Sequence, residues 1–191
     1  MRLESLIEGS EFDTLRGLVA TCARLGMAVA EIGVHRGGTA ISLWQEIQSY
    51  QGVMHCIDIW EEYEIYRLFI EAVDSLKRLR FYRMPSLDAV KLFPDDSLDL
   101  VFIDADHRFS SVYADILAWM PKVRQGGVLC GHDCEERYSV YAENQRYDID
   151  FNLETDSTKF TCHAGVIRAL YDIFKDEYEL LPRIWWVKRA V

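Results

Sequence analysis

The chain has 191 residues, half of them hydrophobic, and a formal net charge of -10. That length and apolar content suffice for one domain with its own core, without disulfides or a structural metal, and they exclude a disordered chain. The acidic balance argues against a surface that neutralises nucleic-acid phosphates or anionic lipid, so neither is expected as a partner.

The opening MRLESLIEGSEFDTL carries acids where a signal peptide has a basic region and a long apolar run, and no later run reaches membrane-spanning length. A cytoplasmic protein is therefore expected. Residues 1–26 read as a leading helix. Phe12, Leu15, Leu18, Val19, Cys22 and Leu25 fall at helical spacing from Phe12 to Leu25, and Gly26 closes the helix. Cys22, Cys56, Cys130, Cys134 and Cys162 form no C-x-x-C pair and read as reduced, buried thiols.

Ala28 to Thr39, AVAEIGVHRGGT, is the stretch that organises the rest of the chain. An apolar strand ends in Glu31, a turn passes through Gly33, Gly37 and Gly38, and a helix runs from Ala40 to Ile47. Glycines let a nucleotide-like ligand approach the backbone. Phosphate favours the free N–H groups of such a helix start, but the Glu31 carboxylate would repel it. A cationic or amine-bearing ligand suits Glu31 better, and the glycine spacing departs from the G-x-G-x-x-G of dinucleotide binders.

Val53 to Ile59 is a second strand, ending at Asp58, and Glu62 to Arg78 reads as a crossing helix. Leu79 to Met84 is a short third strand, Pro85-Ser86 suits a helix start, and Leu87 to Leu92 is one or two turns. Leu98 to Asp106, LDLVFIDAD, is the pattern of a parallel strand buried on both faces. A helix through Val112, Ile116 and Trp119 follows, then a turn at Gln125-Gly126-Gly127 and a strand from Val128 to Cys130, capped by Gly131-His132-Asp133. Residues 134–162 are polar, tyrosine-rich and without clear period, so they read as an inserted acceptor loop or lid. Val166 to Phe174 is helical, and Tyr178 to Leu181 and Ile184 to Lys188 are an antiparallel pair linked at Pro182-Arg183, the last strand being interior. The alternation predicts an α/β fold with a parallel sheet and right-handed crossovers, in a single domain over residues 1–191.

Ligands of such sheets bind beyond the carboxyl ends of the strands. Glu31, Asp58, Asp104-Ala105-Asp106-His107 and Gly131-His132-Asp133 all end strands there. Asp58 is placed to accept ribose hydroxyls, and Trp60 to stack on a purine; otherwise they are a turn acid and a packing ring. Glu31 could instead serve a helix dipole. Tyr138, Tyr141, Tyr147, Phe151 and Phe160 could stack on an acceptor, or only pin the loop down, and Arg137 or Arg146 could pair with an acidic acceptor. His163 reads as a helix cap.

EIGVHRGGT, HCIDIWE, DLVFIDADHRFSSVYADILAWMPKVRQGGVLCGHD and HAGVIRALYDIF, in that order, resemble the motifs of class I S-adenosylmethionine-dependent methyltransferases. The likeness runs from about Met27 to Val187 and is greatest to the sugar O-methyltransferases of macrolide and aminocoumarin pathways and the cephalosporin hydroxylase-like proteins. It implies a Rossmann-like three-layer sandwich around a seven-stranded sheet of order 3-2-1-4-5-7-6, strand seven antiparallel. It also implies that Glu31, Gly33, Gly37, Gly38 and Thr39 surround the methionine part of S-adenosylmethionine, Asp58 the ribose, and Trp60 and Ser86 the adenine, with Asp104 facing the sulfonium. In the sugar enzymes, the positions of Asp104, His132 and Asp133 hold Mg2+, and that of Asp106 is the general base. His132 replaces an acid there, and imidazole suits Mn2+, Fe2+ or Zn2+ better than Mg2+. Two readings stay open: a divalent metal, Mg2+ or Mn2+, on these three residues, or a metal-free site with His107 or His132 as base. The expected activity is O-methylation of a small hydroxylated metabolite or sugar. The alternatives are a non-catalytic S-adenosylmethionine-binding protein and an NAD-dependent oxidoreductase. Self-association into a homo-oligomer is left open.

Overall fold

A computed structural model of the chain describes residue 7, residues 9–155 and residues 162–190. Phe160 lies outside the described residues. In chain order the elements are α1 (Gly9–Cys22), β1 (Ala28–Ile32), α2 (Gly38–Ile47), β2 (Val53–Asp58), α3 (Tyr63–Val73), β3 (Leu79–Arg83) and α4 (Ser86–Ala89). They continue with β4 (Leu98–Ile103), α5 (Phe109–Trp119), β5 (Val123–Gly131), α6 (Glu143–Phe151), α7 (Ala164–Phe174), β6 (Glu179–Leu180) and β7 (Trp185–Lys188).

The strands form one sheet of order β3-β2-β1-β4-β5-β7-β6. β1, β2, β3, β4 and β5 pair in parallel, and β7 runs antiparallel to both β5 and β6. β7 is thus interior, as the two apolar faces of IWWVK predict. Every residue of β4 is buried, which fits its near-continuous apolar run.

Alternate residues of a strand face opposite sides of the sheet, and two cores result. Val29, Leu100, Phe102 and Cys130 pack with Leu15 and Leu18 of α1, Leu43 of α2 and Phe69 of α3. Ala30, Val101, Ile103 and Leu129 pack on the other face with Ile116 and Trp119 of α5 and Ile167 and Leu170 of α7. Burying such side chains contributes roughly 1.5–3 kcal/mol each.

One charge interrupts β4. Asp99 is fully buried, accepts 2.6 and 3.1 Å hydrogen bonds from Arg24 and a 2.7 Å bond from the Ala28 N–H, and also pairs with Arg124. It ties the α1–β1 turn and β5 to the sheet end opposite the ligand edge. Nothing in the sequence pattern marked Asp99 out from the strand-end acids.

Several boundaries differ from expectation. The leading helix is Gly9–Cys22, not Phe12 to Leu25, and α3 stops at Val73, well before Arg78, whose backbone is left-handed at φ 61°. Gln125-Gly126-Gly127 is not a turn before a short strand: β5 runs through it from Val123, and the pairing with β4 slips between Leu98 and Leu100 where Gly126 takes φ 73°. A bulge adds chain without ending the strand. Residues 134–162, expected as a loop, contain α6 and a 3-10 turn at Tyr138–Val140. α6 buries only Asp148 and Ile149, too few apolar positions to show a period. No helix among the described residues is long and apolar enough to cross a membrane.

Candidate active site

A cleft of about 850 Å³ opens beyond the carboxyl ends of β1, β2, β4 and β5. This is the edge where the order reverses, with β1 leading to β2 on one side and to β4 on the other.

Its floor is the β1–α2 turn. Gly33 has φ 86°, and a Cβ there would run into the Asp104 carbonyl oxygen and the Ala105 backbone. Glycine is required twice over, by conformation and by the close approach of the β4 loop. Gly38 and Thr39 also line the cleft. Gly37 does not, contrary to its expected cofactor contact; at φ 88° it sits behind the turn against Phe69.

Glu31 lines the cleft at 2% exposure, and its Oε2 is buried without a hydrogen-bond partner. Burial, then the nearby Asp104 and Asp58 carboxylates, raise its pKa well above the ordinary glutamate value. A cationic donor would relieve all three causes. Asp58 shapes the same turn: Oδ2 accepts 2.8 Å bonds from the Val34 and His35 N–H groups, and Oδ1 a 2.6 Å bond from the Trp60 N–H.

Trp60 corrects the expectation of a ring on the purine. It is 2% exposed, stacks on Phe69 at 4.5 Å and donates its Nε1–H to the His35 carbonyl at 2.7 Å, so its ring belongs to the core behind the turn. Its neighbour Ile59 lines the cleft instead, as do Met84 and Leu87. Ser86 lines the cleft wall; its hydroxyl donates to Asp115 at 2.5 Å and accepts from Trp119 Nε1 at 2.8 Å. Burial, partly offset by the Ser86 hydrogen bond, pushes Asp115 up to about 6.

The far wall collects the acids and imidazoles. His107 Nε2 lies 2.9 Å from Asp133 Oδ2, and His132 Nδ1 lies 3.2 Å from Asp133 Oδ1 and 3.9 Å from Asp104 Oδ1. Arg183 also contacts Asp133. Burial opposes ionisation of Asp133, but hydrogen bonds from His107 and His132 outweigh it and leave the pKa below the ordinary carboxylate range. Asp104 goes the other way: burial pushes it to about 6, with His132 pulling it down and Asp133 up.

Asp106 lines the cleft too, but Arg108 grips both its oxygens at 3.0, 2.8 and 2.5 Å and Ser111 adds a 2.8 Å bond. The Arg108 hydrogen bonds pull its pKa down to about 2 against the opposing effect of burial. A carboxylate so stabilised is a weak proton acceptor, which does not favour the general-base role expected of Asp106. His107, hydrogen-bonded to Asp133, has the better geometry for it.

The three expected metal ligands meet the test of proximity. One donor atom each from Asp104, His132 and Asp133 lies within 4.8 Å of the others, and His107, Asp133 and His163 form a second such group. Two carboxylates and an imidazole are a donor set that fits a divalent cation.

A family model described as a methyltransferase domain matches residues 30–134, more than half of the 191-residue chain. The chain belongs to this methyltransferase family. Its fold is shared with a Corynebacterium glutamicum protein at TM-score 0.68 and 22% identity, over 97% of this chain and 84% of that one. An O-methyltransferase from Bacillus cereus, solved in complex with SAH, superposes at TM-score 0.66 and 19% identity over 98% and 84%. An SAM-dependent O-methyltransferase from Thermotoga maritima gives 0.63 and 11% over 100% and 69%. No curated protein matches the chain.

Within this methyltransferase the sequence reading missed Glu11, Asp115, Glu135 and Arg183. His163 begins α7 without a side-chain cap bond; its Nδ1 lies 2.6 Å from Glu135 Oε1, and its ring meets that of His107 at 4.4 Å. Gly165 allows this, since a Cβ there would strike the His107 carbonyl. Tyr138, Tyr141, Tyr147 and Phe151 do not line the cleft, and neither do Arg137 and Arg146. Tyr138 packs on Tyr171 at 4.7 Å, Arg137 lies over the Tyr178 ring, and Tyr147 and Phe151 stack on each other in solvent.

Proposed function

We propose that this methyltransferase moves the methyl group of S-adenosylmethionine to a hydroxyl oxygen of a small metabolite or sugar. The observation that carries the reading is the buried, unpartnered Glu31 oxygen on a cleft rimmed by Asp58, Asp104 and Asp133. Such a lip suits an amine-bearing sulfonium and repels a pyrophosphate, which argues against a nicotinamide dinucleotide. In this reading Glu31 takes the donor's amino group beside Gly33. Asp58 Oδ1 has a lone pair left for a ribose hydroxyl. The adenine enters between Ile59 and Leu87, with Ser86 and Asp115 at its polar edge. We also read the chain as one domain, supported by the single sheet that collects every described strand.

Methyl transfer is a displacement in which the acceptor oxygen bonds the methyl carbon while the carbon–sulfur bond breaks and S-adenosylhomocysteine leaves. Positioning therefore supplies most of the catalysis. The hydroxyl proton must go to a base, and His107 is the residue proposed for it, with Asp133 holding the ring and stabilising the imidazolium formed. Asp104, His132 and Asp133 would hold a divalent cation. When bound, such an ion lowers the pKa of an acceptor hydroxyl. Arg183 and His163 frame the acceptor side.

The test is incubation with methyl-labelled S-adenosylmethionine and a panel of hydroxylated metabolites, with and without chelator. Transfer of label to oxygen supports the reading. Binding of S-adenosylhomocysteine with no transfer to any acceptor favours the non-catalytic alternative, and a thermal shift with NAD in place of S-adenosylhomocysteine favours the oxidoreductase.

A further inference from the structure

One acid of α1 is out of place for a packing helix. Glu11 lies on the face that carries Leu15, Leu18 and Cys22 and is only 3% exposed. Burying a carboxylate without a compensating group is strongly unfavourable. Glu11 Oε1 lies 3.3 Å from Nε2 of His132, a buried ring. The opposite ring nitrogen, Nδ1, faces Asp133 and Asp104. The His132 imidazole thus stands between a carboxylate of the leading helix and two strand-end acids.

We propose that Glu11 is the outer carboxylate that orients His132, and that the Glu11–His132 couple makes the cation site selective for imidazole-favouring transition ions such as Mn2+ over Mg2+. This rests on the reading of Asp104, His132 and Asp133 as cation ligands. An imidazole that binds a metal through one nitrogen needs its other N–H held, and a carboxylate holds it best and raises the ligand's basicity. Nε2 makes no hydrogen bond but stands 3.3 Å from Glu11 Oε1. A cation displacing the Nδ1 hydrogen bond to Asp133 would leave the ring's one proton on Nε2, beside Glu11, and the Nδ1 lone pair on the side of Asp104 and Asp133. Nitrogen donors favour the later divalent ions, whereas Mg2+ keeps to oxygens and water. Glu11 is then a positioning residue, acting through His132.

Isothermal titration of the full chain with MnCl2 and MgCl2 tests this, with the thermal shift by S-adenosylhomocysteine as the check on folding. The wild type is expected to bind Mn2+ at least about tenfold more tightly than Mg2+. Glu11→Gln, close in shape, is expected to weaken Mn2+ by about 10–100-fold and to leave Mg2+ little changed, a change of ratio that a merely structural acid would not produce. The double variant Glu11→Gln/His132→Glu exchanges the nitrogen for an oxygen donor without crowding two carboxylates, and moves the preference toward Mg2+. Pulsed electron paramagnetic resonance of the Mn2+-loaded wild type, which needs no variant, shows coupling to an imidazole nitrogen. Equal affinities for the two ions, or an unchanged Mn2+ affinity in a folded Glu11→Gln, overturn this inference and leave the cation site standing. No cation binding by the wild type overturns both.

Discussion

Asp58 organises the ligand turn before any ligand arrives, and Asp58→Asn tests that directly. Its two oxygens accept three backbone N–H groups, from Val34, His35 and Trp60. Asparagine keeps one carbonyl oxygen. If that oxygen stays with Val34 and His35, the new NH2 faces the Trp60 N–H, donor against donor. A hydrogen bond to a charged acceptor contributes about 1.5–3 kcal/mol, and leaving the N–H unpaired is as unfavourable again at partly buried positions. The expected loss is therefore about 2–3 kcal/mol in urea unfolding of the unliganded protein, with a larger loss, about 3–5 kcal/mol, for Asp58→Ala. Trp60 enters the sum because its backbone is held at φ 42°, a strained position for a bulky residue that the Asp58 bond helps fix. Binding of S-adenosylhomocysteine, followed by calorimetry, should weaken further than the ribose contact alone accounts for. A stability change below about 0.5 kcal/mol in Asp58→Asn, well under one such bond, would refute the organising role even if ligand binding were lost.

Gly33→Ala is expected to abolish S-adenosylhomocysteine binding in calorimetry and lower Tm, because its methyl would collide with the Asp104 carbonyl at a left-handed position. His107→Gln should lower kcat by about 10²–10⁴-fold with S-adenosylhomocysteine affinity retained, while Asp106→Asn should keep most of the turnover. A full loss in Asp106→Asn would restore that residue as the base. Asp115 is raised to about 6 by burial, so the folded state holds its proton more tightly than the unfolded chain, and stability falls as pH rises from about 4 to about 6. Asp115→Asn should therefore be more stable than wild type at pH 7.5, by on the order of 1–3 kcal/mol, and not at pH 4. Asp99→Ala should destabilise by about 3–5 kcal/mol in urea unfolding, since two arginines and the Ala28 N–H lose their shared acceptor.

The sheet was legible because its information is periodic. LDLVFIDAD could only be a strand buried on both faces, and the order around it followed once the motifs fell in the sequence of the methyltransferases. Glu31, Asp58, Asp104 and Asp133, each within two residues of a strand's carboxyl end, were legible for the same reason, since such residues can lie only at that edge of the sheet. Direction was not legible. Trp60 is two residues past Asp58, yet φ 42° turns its ring into the core, and Ile59 takes the wall. Asp106 looked like a free base because the pairing with Arg108, two residues on, is a matter of side-chain rotamer. Glu11 reaches His132 across 121 positions of chain, and only the packing of α1 on the sheet brings them to 3.3 Å. α6 was invisible because it shows most of its length to solvent.

A crystal structure with S-adenosylhomocysteine tests the central claim most directly. The account predicts the amino group against Glu31 and Gly33, the ribose at Asp58, and the adenine between Ile59 and Leu87 with Ser86 and Asp115 at its edge. A ligand bound away from the strand ends, or with its amino group turned from Glu31, would contradict it.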